Sequence, residues 1–154
     1  MPEPLDILFS GIASVKSGPR EVVEGVIVEF GTLTNEEVIE IGEEIVRFKS
    51  LEARAIVAKV HTLARAILTL NNQPLQLSES ERKALKNKLH LIGQLEREPN
   101  RVEQAVEILL NKVPRKLVDL IDDEYLLFEG EIASQIENLK KKSSPTGSGE
   151  QNLS

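Results

Sequence analysis

Apolar residues recur every three or four positions along most of this chain, and this spacing places side chains on one face of an α-helix. The first such stretch covers residues 4–16, and its shared face carries Leu5, Leu8, Phe9, Ile12 and Val15. Gly18 and Pro19 follow this stretch. The pair predicts a helix end, because Pro restricts the residue before it and Gly leaves a helix without steric cost.

Residues 19–30 admit two interpretations. Their apolar positions keep helical spacing, at Val22, Val23, Val26, Ile27 and Phe30. Most of these side chains are β-branched and lose χ1 freedom in a helix, which favours a strand over residues 25–30. Such a strand would be alone in the chain and would have no neighbour to pair with. We therefore predict a helix here.

A capping-box pattern at Thr34 and Glu37 predicts the start of the next helix. Helical periodicity then continues over residues 35–70, and a straight helix of that length would span roughly 54 Å. A compact domain of this size is only about 35–40 Å across. A straight helix would therefore extend beyond the domain or pack on a second subunit.

The apolar stripe of this long helix changes register between Ile45 and Ala53. We therefore predict a kink near residues 48–52, with Ser50 as the cap of the second half.

Two further capping boxes, Ser78 with Glu81 and Asn100 with Glu103, predict the starts of later helices. Apolar periodicity continues as far as Leu139. Together these patterns predict an all-α fold, a compact or slightly elongated bundle of five to six helices.

We expect residues 1–142 to form a single helical domain. Residues 143–154 are small and polar, which is typical of a disordered tail.

The composition excludes several functional classes. The chain has no cysteine, so disulfides, thiolate zinc sites and cysteine nucleophiles are excluded. It has four Phe, one Tyr and no Trp, a set poorly suited to stacking on bases or flat cofactors. The first residues lack the basic region of a secretory signal, and no stretch is long and uncharged enough to span a membrane. We expect a cytoplasmic protein.

The residues that could carry chemistry do not form a known constellation. Ala58 and Asn87 stand three positions before His61 and His90, where di-iron bundles require Glu. Residues 122–124 are acidic but lack the alternating donors of a calcium loop. No nucleophile elbow or phosphate-binding loop is present. We therefore predict a non-enzymatic protein with no metal, cofactor or small-molecule substrate.

The one distinctive electrostatic feature is a basic stretch in a chain of net charge −6. Its cations are candidate contacts for a partner protein or nucleic acid: Arg82, Lys83, Lys86, Lys88, Arg97 and Arg101. No aromatic residue lies between the cations of residues 82–88, so nucleic-acid binding would be weak and sensitive to salt. We favour the alternative, that they form a solvated helix face or pair with the chain's own acidic residues.

These observations predict an interaction or scaffold protein that binds a protein partner, or a second copy of itself, through a helix face. The alternative is a nucleic-acid-associated accessory factor that uses the basic helix at residues 82–88.

Overall fold

A computed structural model describes residues 15–91 and 97–142 of the chain. These residues form helices together with a three-stranded antiparallel sheet of order β1-β2-β3, so the all-α prediction is wrong. The elements, in chain order, are β1 (Lys16–Val23), β2 (Val26–Gly31), α1 (Asn35–Ile45), α2 (Leu51–Ala66), β3 (Ile67–Leu70), α3 (Glu79–Leu91), α4 (Arg101–Asn111) and α5 (Arg115–Lys142).

The segment predicted as a helix at residues 19–30 is the hairpin of β1 and β2. Glu24 and Gly25 connect the strands, and Gly25 has φ +84, a conformation that favours glycine. The β-branched side chains on either side of this turn fit the pleated sheet better than a helix. The helix prediction failed because β2 is paired on both sides and is not a lone strand.

The predicted first helix is also corrected where the structure describes it, since Lys16 already belongs to β1. Its remaining residues, 4–14, and the predicted tail, residues 143–154, lie outside the described residues.

The third strand replaces the end of the long helix predicted for residues 35–70. Helix α2 ends at Ala66, and Ile67–Leu70 pairs with β2. The adjoining Asn71 has φ 50, a left-handed conformation that asparagine tolerates. Its side-chain oxygen accepts a hydrogen bond from the Ile27 amide at 2.8 Å, which extends the ladder beyond the strand.

The break predicted near residues 48–52 is confirmed. Helix α1 ends at Ile45 and α2 begins at Leu51, where the Ser50 hydroxyl accepts a hydrogen bond from the Ala53 amide at 3.0 Å. The capping boxes predicted at Thr34–Glu37, Ser78–Glu81 and Asn100–Glu103 are also present.

The core lies between the sheet and helices α2, α4 and α5. Phe30 of β2 is fully buried and packs against two rings of α5, with centroids 5.4 Å from Tyr125 and 6.1 Å from Phe128. At the edge of the sheet, Arg20 of β1 donates hydrogen bonds to Glu124 at 2.8 Å and to Glu131 at 2.6 Å. Apolar packing and these ion pairs together hold the sheet on α5.

Replacing Phe30 with alanine should lower the free energy of unfolding by about 3–5 kcal/mol, because a buried ring is lost and a cavity remains. Urea unfolding followed by circular dichroism measures this change. The matched control is Ile136→Ala at an exposed position of α5, where we expect a change of about 0.5 kcal/mol or less. Equal effects of the two substitutions would contradict the proposed core.

Candidate functional site

The cations predicted as contact residues all have partners within the chain. Four form ion pairs, at 3.5 Å for Lys83–Glu79, 2.9 Å for Lys86–Glu98, 3.6 Å for Lys88–Glu107 and 2.9 Å for Arg97–Glu103. Exposed pairs of this kind contribute little to stability. They nevertheless place a carboxylate beside each cation and so neutralise much of the predicted basic surface.

The two remaining cations donate to backbone carbonyl groups. Arg82 reaches the carbonyl oxygen of Leu77 at 3.2 Å, and Arg101 reaches that of Ile67 at 2.7 Å. The second contact joins the start of α4 to β3. The structure therefore places Lys88 and Arg97 along one cleft, while the other four cations lie in separate local contacts.

A second surface, which the sequence did not identify, is an apolar groove between helices α1, α2 and α5, called here the α1–α2–α5 groove. Its volume is about 390 Å³, and its apolar lining consists of Leu33, Val38, Ile41, Ala55, Ala58 and Leu126.

Features of the local sequence position the residues that line this groove. The Thr34–Glu37 capping box fixes the start of α1, so that Val38 and Ile41, three residues apart, both line the groove. The alanines of α2 have small side chains and leave space between the helices. Val38 is 55% exposed and Leu126 is 56% exposed, so the groove presents apolar surface that the described chain leaves uncovered.

Tyr125 lines the same groove from α5. Its residue is only 1% exposed, yet its buried hydroxyl has no hydrogen-bond partner among the described residues. Burial raises the pKa of this hydroxyl, and so do the negative charge and the hydrogen-bonding capacity of the nearby Glu129 carboxylate, one helical turn away. No hydrogen bond of good geometry is formed, and a buried hydroxyl without one costs about 1–3 kcal/mol, so an occupant that forms a well-aligned hydrogen bond here would be favoured.

The polar lining of the groove includes two carboxylates, those of Asp122 and Glu129, together with Lys59 and Thr62. Burial raises the pKa of Asp122. Lys59 is already bound to Asp119 at 2.8 Å, and this hydrogen bond raises the pKa of the Lys59 ammonium. The groove therefore combines an apolar lining with carboxylates that would attract a cation.

Another apolar groove, of about 270 Å³, lies between α2, α4 and α5 and shares Ala55 and Lys59 with the first. Ile56 and Leu110 line it and are 41% and 48% exposed. Apolar surface thus continues across α2, which fits the alanine-rich sequence of that helix.

A larger cleft of about 520 Å³, among α1, α2, α3 and α4, is lined by charged side chains of both signs. Arg65 is buried there and donates to the carbonyl oxygen of His61 at 3.0 Å. Burial lowers the pKa of His61. The His61 Nδ1 atom lies 3.3 Å from the Arg65 guanidinium. A cation is not the group that orients a histidine acting as a general base, so this contact does not favour that role for His61.

Within residues 15–91 and 97–142, no group of three His, Asp or Glu side chains is placed to hold a metal ion. The helices in these ranges also lack the combination of length and apolar character needed to cross a bilayer.

Comparison with protein-family models, curated proteins and solved structures gives no match for this chain. The proposals below therefore depend on the geometry of the grooves.

The ionisation of Tyr125 can be measured directly, because it is the only tyrosine in a chain without tryptophan. We expect tyrosinate absorbance to appear in the folded protein only above the ordinary pKa of about 10. Because the folded pKa is raised, the unfolded chain releases this proton first, so the free energy of unfolding is unaffected by Tyr125 below about pH 10 and falls at higher pH. Titration of the folded protein at the ordinary pKa would contradict burial of this hydroxyl.

Proposed function

We propose that this chain is a non-enzymatic protein-interaction module and that the α1–α2–α5 groove is its binding surface. The observation that carries the proposal is the buried Tyr125 hydroxyl, which has no partner in a groove flanked by the exposed side chains of Val38 and Leu126. An occupant would cover the apolar side chains of Val38 and Leu126 and would supply a hydrogen-bonding group for the Tyr125 hydroxyl.

The shape of the site favours a helical segment as the occupant. Helices form the walls on its sides, and an amphipathic helix commonly binds such a groove through apolar residues spaced three or four apart. The uncovered apolar surface of Val38 and Leu126 would supply the main favourable contribution to binding.

The charged residues of the groove indicate which partner would bind best. Asp122 and Glu129 line the groove, while Lys59 is engaged by Asp119. A partner helix with Lys or Arg beside its apolar stripe would complement these carboxylates, which favours its association over that of an acidic helix. We therefore propose an amphipathic, basic helical segment of another protein.

We do not propose the alternative function, nucleic-acid binding through residues 82–88. The cations of that helix contact the chain's own carboxylates and carbonyl groups, and each such contact would compete with a phosphate.

The groove can be tested by introducing a charge on its wall. A partner is first captured from an extract of the native cells by the full-length chain, and its binding is then measured with both proteins purified. Val38→Glu should weaken binding about tenfold or more, because the cost of burying a charge against apolar surface exceeds the attraction of the new carboxylate for a basic partner. Ile136→Glu, at an exposed apolar position outside the groove, should change affinity less than about twofold.

Tyr125→Phe gives a second, more specific test, because it removes the hydroxyl and keeps the ring. We expect an unchanged or slightly higher free energy of unfolding, since a buried group without a partner is lost. Affinity for the partner should nevertheless fall by about two- to tenfold, the value of one hydrogen bond. Binding that is unaffected by both Val38→Glu and Tyr125→Phe would overturn the proposed function.

A further inference from the structure

We infer that a second copy of this chain occupies the α1–α2–α5 groove when no other protein is bound, with residues 132–142 of its α5 lying along the groove. The inference rests on the proposed function of the groove and adds a competitor for it, because the chain then pairs with itself through its binding surface. The two α5 helices run antiparallel in this pair, and each copy fills the groove of the other.

The second half of α5 extends beyond the core of the described chain. Within the described residues, Ile132 is the last residue of α5 that packs against the core, and every residue from 133 to 141 except Leu139 is exposed. The helix nevertheless continues to Lys142. Most helical stability in proteins comes from packing of an apolar face, and isolated helices shorter than about 12–15 residues are marginal in water. A second chain along this segment would supply such packing.

This segment has the amphipathic, basic character that the groove favours. Ile132, Ile136 and Leu139 are spaced three and four positions apart, so they share one helical face, and Ile136 is 47% exposed. Lys140 and Lys141 follow this apolar stripe. The segment therefore offers apolar side chains to the uncovered surface of the groove and cations to its carboxylates.

A continuous helix cannot bring these residues back to its own groove. Leu126 and Glu129 of α5 line the groove, and α5 continues past them as one helix. At 1.5 Å per residue, Lys140 lies roughly 16 Å beyond Glu129 along the helix axis. Its cation can therefore enter the groove only in a second molecule.

The charges along α5 are complementary in the antiparallel arrangement. Lys140 follows Asp122 by eighteen residues, and Lys141 follows Asp123 by the same number. Eighteen residues make about five helical turns, so each lysine lies on the same side of α5 as its acidic counterpart. Two copies that cross near residues 131 and 132 therefore place the lysines of each beside the acidic pair of the other, at both ends of the contact.

The crossing point allows the two helices to approach closely. Gly130 and Ala133 are both exposed there, and a side chain built at Gly130 would meet no atom within 4 Å. Small residues let helix backbones come together. The same patch of α5 thus serves both copies, as in a dimer with two-fold symmetry.

Sedimentation equilibrium of the full-length chain measures this pairing. We expect a reversible dimer with a dissociation constant on the order of 10 μM. A chain that remains monomeric at about 200 μM, twentyfold above that value, would overturn the inference.

Charge exchange tests the antiparallel arrangement at two exposed positions. Lys141→Glu alone and Asp123→Lys alone should each weaken the dimer about three- to tenfold, because like charges then meet at both ends. An equal mixture of the two variants should form a dimer within about twofold of the original affinity, since opposite charges again meet at both ends. If mixing restores nothing, the antiparallel pairing is wrong.

The matched control is Lys83→Glu, which makes the same charge change on α3, outside the groove. It should change the dissociation constant less than about twofold. An effect as large as that of Lys141→Glu would show that net charge alone controls association, against the inference.

Val38→Glu tests whether the contact includes the groove, and it should weaken the dimer about tenfold or more. A dimer that is insensitive to Val38→Glu would lie elsewhere on α5, contrary to the inference. Dilution below the dissociation constant gives the monomer, in which Ile136 is exposed, so substitutions at Ile136 are compared under those conditions.

The inference and the proposed function can fail separately. If the chain stays monomeric while Val38→Glu weakens binding of a captured partner, the proposed function stands without the self-pairing. If the dimer responds as expected but groove substitutions leave the captured partner bound, the self-pairing stands and the proposed function fails.

Discussion

The packing of Phe30 against the rings of Tyr125 and Phe128 is the contact on which the rest of the structure depends. It joins the sheet, which is too small to bury a core alone, to the longest helix of the described chain. Because α5 is fixed on the sheet in this way, Tyr125 and its neighbour Leu126 lie on the side of α5 that faces α1 and α2. The position of the groove therefore depends on the packing of the core.

The same contact holds a buried polar group. The Tyr125 ring packs against Phe30, and the Tyr125 hydroxyl is buried without a hydrogen bond of good geometry to the described residues. Phenylalanine at this position would be more stable, because it would avoid the cost of a buried hydroxyl without a partner. A conflict between local stability and the residue present is typical of a functional site, and here it coincides with uncovered apolar surface on Val38 and Leu126.

Sequence patterns predicted the features that depend on neighbouring residues and missed those that depend on distant ones. The caps at Thr34 and Ser50 are local hydrogen bonds, so their residue types identify them. Strand β3 has four residues, and Ile67 and Leu70 also fit the helical spacing of α2, so its pairing with β2 could not be read from periodicity. The groove was missed for the same reason, because residues of three separate helices line it.

We expect the sheet and α5 to form one cooperative unit through Phe30. Native-state amide hydrogen exchange can measure this cooperativity, because it gives a free energy of opening for each protected amide. Amides of β2 and those around Ile121 and Tyr125 should open with the same free energy, and Phe30→Leu should lower both equally. Opening of α5 at a clearly lower free energy than β2, with Phe30→Leu affecting β2 alone, would contradict it.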